Sequence, residues 1–285
     1  MSLPTFATGC HGSKKACSLN RVRLPAWLRA TGEGIDQRFA IFRAKLSSGS
    51  ESGVLEPVAI VPARAGSTRI PGKNTKSFLG TPIIFRVLDN IRKSGIFDEI
   101  LVSTDDPWLV SQAQERGFSA PFLRPEALST DFASTASVAN HAVDYFLGSG
   151  RDPNAPFFLM YPTAVMTTRE DILQSYEAFV SSDSELLFAG ARFPSEIQRA
   201  WMWNDNHELE PVFPGQQAQR SQDFPPAYFD AGQFYWFRSR AWRAEVLEGG
   251  VGRAIYELDP LQAIDINTED DWLLAEDLFR LRARQ

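Results

Sequence analysis

The residues of this chain best suited to chemistry crowd into 61-VPARAGSTRIPGKN-74, where Arg64, Arg69 and Lys73 stand among Gly66, Pro71 and Gly72. Arginine offers a planar fork of donors that fits two phosphate oxygens, and lysine offers a point charge. The apolar run 58-VAI-60 reads as a buried strand, and the glycines and proline after it stop regular structure. A helix is expected next, with Thr81 as N-cap, Pro82 in its first position and Gly95 past its end. Strand, glycine-rich loop and helix form the layout in which backbone N–H groups cradle phosphates. The loop is not a Walker A motif. Five residues separate Gly66 from Gly72 and Asn74 stands where a magnesium-binding Ser or Thr would be, whereas that motif has four residues there. A Rossmann GxGxxG is also absent. The competing reading is a surface turn with solvated charges.

The rest of the chain must position this loop. From Val58 onward, strands are expected at 58–62, 100–104, 157–161, 186–191 and 233–237, and helices at 81–94, 106–116, 134–147, 168–180 and 268–283. Such alternation means an α/β fold, a mostly parallel twisted sheet with helices on both faces. Ligands in such sheets sit at the carboxyl ends of the strands. The loop at 62–76 lies at such an end, as do Thr104-Asp105-Asp106, Tyr161-Pro162-Thr163 and Asp265-Ile266-Asn267. No internal repeat is visible.

Composition narrows the classes. The 285 residues suffice for one large α/β domain, and 44% hydrophobic with 22% charged residues is ordinary for a soluble globular protein. A net charge of −6 argues against broad nucleic-acid binding, and no apolar run approaches a membrane span. Both cysteines, Cys10 and Cys17, lie near the start, so the remainder uses no disulfide or thiol chemistry, which fits a reducing cytoplasm. Residues 1–56 read as a weakly ordered arm ending in the linker 46-LSSGSESG-53, with a short helix around 35–46.

The loop resembles the signature of the CMP–sialic acid synthetase (acylneuraminate cytidylyltransferase) family. The agreement continues through 97-FDEILVSTDD-106, 123-LRPEALSTD-131, 161-YPTA-164 and 265-DINTEDDW-272. The stretches 192-RFPSEIQRA-200 and 220-RSQDFPPAYFDAGQFYW-236 look most like the branch that activates pseudaminic acid. The likeness spans about residues 57–280, which makes 57–285 the catalytic domain. It implies a nucleotide-diphospho-sugar-transferase-like fold, and the joining of CTP to a nine-carbon acidic 2-keto sugar with loss of pyrophosphate. It implies Mg²⁺ or Mn²⁺ as cofactor, and a homodimer in which part of 192–240 serves substrate and partner.

Roles carry over residue by residue. Arg64 and Lys73 match the cations of the phosphate loop, with Ala63, Gly66, Ser67 and Asn74 around the nucleotide and Arg124 near its base or ribose. Ser134 and Thr135 are either hydroxyl ligands of cytosine or helix caps. Tyr161, Thr163, Gln198, Arg199, Arg220 and Gln233 fall on the sugar side, the arginines as partners of its carboxylate. Asp265 and Asn267 are the metal candidates, since alternate residues of an extended segment share one face. The family carries Asp at the second place, and the competing use is that Asn267 or Thr268 caps the last helix with Asp271. Phe229 stands where the pseudaminic branch has His, which removes a titratable group. Trp201, Trp203, Tyr235 and Trp236 are expected to fill a core or a dimer interface. Those departures keep one rival in view, a homologue that binds CTP without turnover. A chain starting at Glu56 should bind CTP within about twofold of the full-length affinity, about 0.4 kcal/mol; titration calorimetry on both checks this, and a larger loss would move the domain boundary into the arm.

Overall fold

A computed structural model describes residues 55–241 and 252–284; the helix expected around 35–46 and both cysteines lie outside them. Val58–Pro62 forms strand β1, a β-branched run buried on both faces. Ser77–Phe78 (β2) and Thr81–Pro82 (β3) pair as a tight hairpin, and Ile83–Ser94 (α1) follows, ending at Gly95. Thr81 is therefore not the N-cap expected of it. Leu79 and Gly80 both take positive φ, 49° and 85°, the backbone of a two-residue hairpin turn. Pairing of Thr81 with Phe78 delays the helix to Ile83, and Pro82 at the cap position makes no side-chain hydrogen bond.

The remaining elements are Glu99–Ser103 (β4), Pro107–Glu115 (α2), Thr135–Gly148 (α3), Phe157–Met160 (β5), Arg169–Val180 (α4) and Leu186–Arg192 (β6). Trp201–Trp203 (β7), Leu209–Pro211 (β8), Tyr228–Phe237 (β9), Arg253–Glu257 (β10) and Glu269–Arg282 (α5) complete the described chain. Six strands form one sheet in the order β10-β6-β9-β5-β1-β4. Only β9 runs against its neighbours, so the sheet is mostly parallel, as expected.

Helices cover both faces. α1, α2 and α4 pack with Ala59, Val61, Phe158 and Trp236 on one side, and α3 packs with Val58, Ile60 and Phe157 on the other. Trp236 is fully buried, 4.4 Å from Phe158 and 5.0 Å from Tyr176 between ring centroids, and its indole N–H donates to Ser175 Oγ at 2.8 Å. Truncating such a side chain to alanine costs roughly 3–5 kcal/mol. Side-chain caps start four of the helices: Asp106 and Ser134 before α2 and α3, and capping boxes of Thr168 with Asp171 and Thr268 with Asp271 before α4 and α5.

β10 and the β7–β8 hairpin also escaped the sequence pattern. β10 is a five-residue strand between charged ends, too short to show a period. The β7–β8 hairpin carries Trp201, Met202 and Trp203 with 56%, 49% and 66% of their surface exposed. Trp201 and Trp203 thus fill no core in this chain, whereas Tyr235 and Trp236 do.

The joint between β6 and β9 depends on Gly190. A Cβ there would lie 2.6 Å from Ile255 Cδ1 and 2.7 Å from the Phe229 carbonyl oxygen. Gly190→Ala should cost about 1–3 kcal/mol through overpacking and lower Tm by several degrees in thermal unfolding. An unchanged Tm would show that the two strands part there freely.

Candidate active site

The loop after β1 is held from three directions. The amide of Ala63 donates to Ser103 O at 2.9 Å, continuing the β1–β4 ladder. The amide of Ala65 donates to Asp105 Oδ1 at 2.8 Å, and the Asn74 side-chain amide reaches back to Arg64 O at 3.0 Å. Lys73 Nζ donates to the carbonyl of Ile266 at 2.8 Å, 193 residues away. That last bond is possible because α5 docks on the loop through a small apolar cluster of Ile70, Phe78, Ile83, Ile266 and Trp272.

Between this loop, the segment 124–138 and the end of β5 lies a cleft of about 420 Å³. Gly66, Ser67, Arg69 and Asn74 line it from the loop, together with Arg64 and Lys73. Arg124 and Thr135 line the opposite wall, and Tyr161 and Thr163 the end. The structure thus gathers most of the residues the sequence singled out. Ala63 lies buried behind the wall, and its amide is spent on Ser103. Ser134 lies outside the lining, exposed, with its Oγ accepting from Ser137 N as the cap of α3.

Charge in the cleft is arranged in pairs. Arg64 NH1 meets Asp131 Oδ1 at 2.5 Å, with both side chains partly exposed. Arg124, only 4% exposed, stands 3.6 Å from Asp105 and donates from Nε to Ser129 Oγ at 3.3 Å. Burial lowers the Arg124 pKa, and Asp105 works against that. Burial likewise lowers the pKa of Lys73; Asp265 opposes the shift, while Arg69 and Arg64 add to it. The Tyr161 hydroxyl bonds to Thr135 Oγ1, and burial raises the tyrosine pKa. Asp105 and Asp131 were not among the expected site residues. Their signals, a Thr-Asp-Asp at a strand end and a Ser-Thr-Asp after Arg124, are too short to assign without neighbours.

On the Lys73 side, Asn267 Nδ2 donates to Asp265 Oδ2 at 2.6 Å. Turning that amide over would present its oxygen, so the two can supply one charged and one neutral oxygen ligand. This set suits Mg²⁺ or Mn²⁺ sharing phosphate oxygens. Gly232, whose φ of +60° favours glycine, packs beside this carboxylate; a Cβ there would be in ordinary contact, 3.5 Å from Asp265 Cγ. The cap of α5 is Thr268; Asn267 contributes its backbone N–H to Asp271 Oδ2 at 2.9 Å. That bond, the largest of several, holds the Asp271 carboxyl below its usual range.

Gln233, 1% exposed, lies beneath the cleft. Its Nε2 donates to Ala231 O and Ile264 O, while its Oε1 is buried and meets no partner. Gln198, Arg199 and Arg220 line no part of the cleft in this chain; Arg199 NH2 donates to Gln219 O at 2.7 Å. They sit on the excursion between β6 and β9 that also carries the β7–β8 hairpin.

A phosphate cradle at the carboxyl edge of a mostly parallel sheet, rich in arginine and lysine, defines a nucleotide-binding α/β protein. The chain belongs to the cytidylyltransferase family. Residues 58–148 match the family model described as Cytidylyltransferase. The chain is 36% identical over 227 residues to the pseudaminic acid cytidylyltransferase of Campylobacter jejuni subsp. jejuni serotype O:2, covering 80% of this chain and 97% of that one. It is 28% identical to the CMP-N,N'-diacetyllegionaminic acid synthase of Legionella pneumophila subsp. pneumophila, over 79% of this chain and 96% of that one. The fold is shared with CMP:2-keto-3-deoxy-manno-octonic acid synthetase complexed with CTP, at a TM-score of 0.58 and 17% identity, across 80% of this chain and 100% of that structure.

Replacing Lys73 with Ala should remove a charge-assisted contact worth roughly 1.5–3 kcal/mol, so the Kd for CTP should rise at least about tenfold near neutral pH. Lys73 loses its proton below the ordinary lysine range, so wild-type affinity should fall as pH climbs through that lowered value. The variant has no such group, and the gap should close with rising pH. A Kd for CTP left unchanged by the replacement would make Lys73 a bystander.

Proposed function

We propose that the chain transfers the cytidylyl group of CTP to the anomeric hydroxyl of a nine-carbon acidic 2-keto sugar of the pseudaminic type. The new bond joins the sugar oxygen to the α-phosphorus. The α–β bridging bond breaks, pyrophosphate leaves, and one proton is released. The observation that carries this reading is the cleft itself, where Arg64, Arg124 and Lys73 converge beside a loop of backbone donors.

Catalysis of this kind is positioning and charge stabilisation. The Arg64–Asp131 pair is partly exposed, and such pairs are worth about 0–1 kcal/mol, so a triphosphate can take Arg64 from its partner at small cost. Lys73 already points one donor at Ile266 O and keeps others for the phosphates. Arg124 is held by burial and by Asp105, and meets the nucleotide without reorganising. Asp265 and Asn267 would hold Mg²⁺ or Mn²⁺. Once bound there, the ion would neutralise triphosphate charge and polarise the phosphoryl oxygens.

The excursion 192–240 belongs to the same reading as the substrate and dimer subregion of a catalytic domain spanning 57–285. The exposed Trp201, Met202, Trp203 and Leu209 support a second copy of the chain as what covers it. Arg199 and Arg220 would then serve a sugar carboxylate across the interface. We read the protein as cytoplasmic, since both cysteines, Cys10 and Cys17, lie outside the catalytic domain; among the described residues no helix is long and apolar enough to cross a membrane. Asn267 and Phe229 favour one second reading, a homologue that binds CTP without turnover.

Pyrophosphate release with CTP and a panel of sugar acids (pseudaminic, legionaminic and N-acetylneuraminic) tests the proposal. Release is expected with the pseudaminic acceptor and only with a divalent metal present. CTP binding without release on any acceptor would favour the second reading. Asp265→Asn should cut the rate sharply, with partial recovery at higher metal. Asn267→Asp should lower the metal concentration giving half-maximal rate, because the cap of α5 is Thr268 and is left untouched. Superimposable metal titrations for this variant and wild type would remove Asn267 from the ligand set.

A further inference from the structure

A second pocket, of about 420 Å³, opens between α1, the start of α4 and the end of α5. It shares no lining residue with the cleft, so each can be occupied while the other is full. Arg86, Asp89, Asn90 and Lys93 line it from α1. Their spacing puts them on one helix face, while Ile84, Leu88 and Ile91 on the opposite face are buried. Thr167, Arg169 and Glu170 border it at the start of α4, and Phe279 and Arg282 at the end of α5.

The walls are braced against one another. Asn90 Nδ2 donates to Thr167 O at 2.8 Å, Arg169 Nε to Lys93 O at 3.0 Å, and Arg282 NH1 to Met166 O at 2.8 Å. Arg86 donates to Phe78 O and Leu79 O, and its guanidinium lies 5.3 Å from the centroid of the Phe279 ring. Walls fixed in this way lose little entropy when a ligand binds.

The lining says what the ligand must be. Four of its side chains are cationic and two are anionic, in a chain whose net charge is −6. Arg86 and Arg282 keep further N–H donors beyond the bonds above. The start of α4 adds the positive end of a helix dipole. Thr167 is only 3% exposed, and its Oγ1 meets no hydrogen-bond partner among the described residues. A buried hydroxyl left unpaired costs free energy that an anionic oxygen in the pocket would recover. Asp89 and Glu170 are acceptors, and they suit hydroxyl groups carried by the same molecule. The volume equals that of the cleft, which leaves room for a body beyond one phosphate.

We propose that this pocket is a binding site for a small sugar phosphate, separate from the site for CTP. Lys93, Arg169 and Thr167 hold the phosphate at the start of α4, with Arg282 beside them. Asp89 and Glu170 take the sugar hydroxyls.

Calorimetry with ribose-5-phosphate tests the site, on the full chain saturated with CTP so that the cleft is blocked. Saturable binding is expected, and inorganic phosphate should bind more weakly than the ester. Lys93→Ala should raise the Kd of the ester at least about tenfold, and Thr167→Val about fivefold. Lys93 is exposed and valine keeps the shape of threonine, so both variants should fold; a Kd for CTP within about twofold of wild type reports this. No binding of the ester to the CTP-saturated wild type, or a Kd unchanged in either variant, would overturn the site. Phosphate binding as tightly as the ester would overturn the sugar. A chain that bound no CTP would count against cytidylyl transfer alone, and the same two variants, titrated without CTP, would still decide the pocket.

Discussion

The hydrogen bond from Lys73 Nζ to the carbonyl of Ile266 is the constraint on which the site depends. It is made possible by burial. Phe78 lies 5.6 Å from both Trp272 and Phe279, and Ile70 and Ile266 are fully buried between loop and helix. This cluster pins the phosphate loop to the last helix and sets Asp265 and Asn267 beside a lysine far away in sequence. The capping box of Thr268 and Asp271 then starts the helix at a fixed point, so the two side chains before it cannot drift along its axis. A loop with three cations would otherwise repel itself and find few partners.

Charge is stored in the cleft in a form that a polyanion can use. Arg64 rests on Asp131 and Arg124 on Asp105, while Lys73 feels Asp265. The pairs differ in exposure, and exposure decides their roles. The partly exposed Arg64–Asp131 contact exchanges at little cost. The buried Arg124 cannot lose its partner without leaving a charge uncompensated. On the proposed function, Arg64 would move to the ligand and Arg124 would be its fixed scaffolding. Asp105 joins both walls, since it accepts the Ala65 amide and faces Arg124.

The single antiparallel strand gives the molecule its asymmetry. Five parallel strands end on one edge, where the loops gather. β9 enters from that edge and projects beyond it with β6. Gly190 lets the two backbones approach closely where they pair. The excursion between the strands carries Arg199, Arg220 and the exposed tryptophans away from the cleft of their own chain.

Sequence alone determined the strand and loop around Val58 to Asn74 and the alternation that makes the sheet mostly parallel, and it offered Ser134 and Thr268 as caps beside other uses that the structure then decided. These are local properties: β-branched runs, glycines, and side-chain oxygens next to free backbone N–H groups. It also marked Arg64 and Lys73 by the chemistry of their loop and Tyr161 and Thr163 by their strand end, while Asn74, Arg124 and Thr135 were marked through the family resemblance. Local signals misled at Thr81, where a hairpin through Leu79 and Gly80 took the residue that a helix would have used as its cap. Tertiary structure alone decided the place of Asp105 and Asp131, the burial of Gln233, the exposure of Trp201 and Trp203, and the meeting of Lys73 with Ile266. Each of these depends on which surfaces pack against which across long separations. A chain read one residue after another carries the types of its charged and apolar groups but not the distances between them.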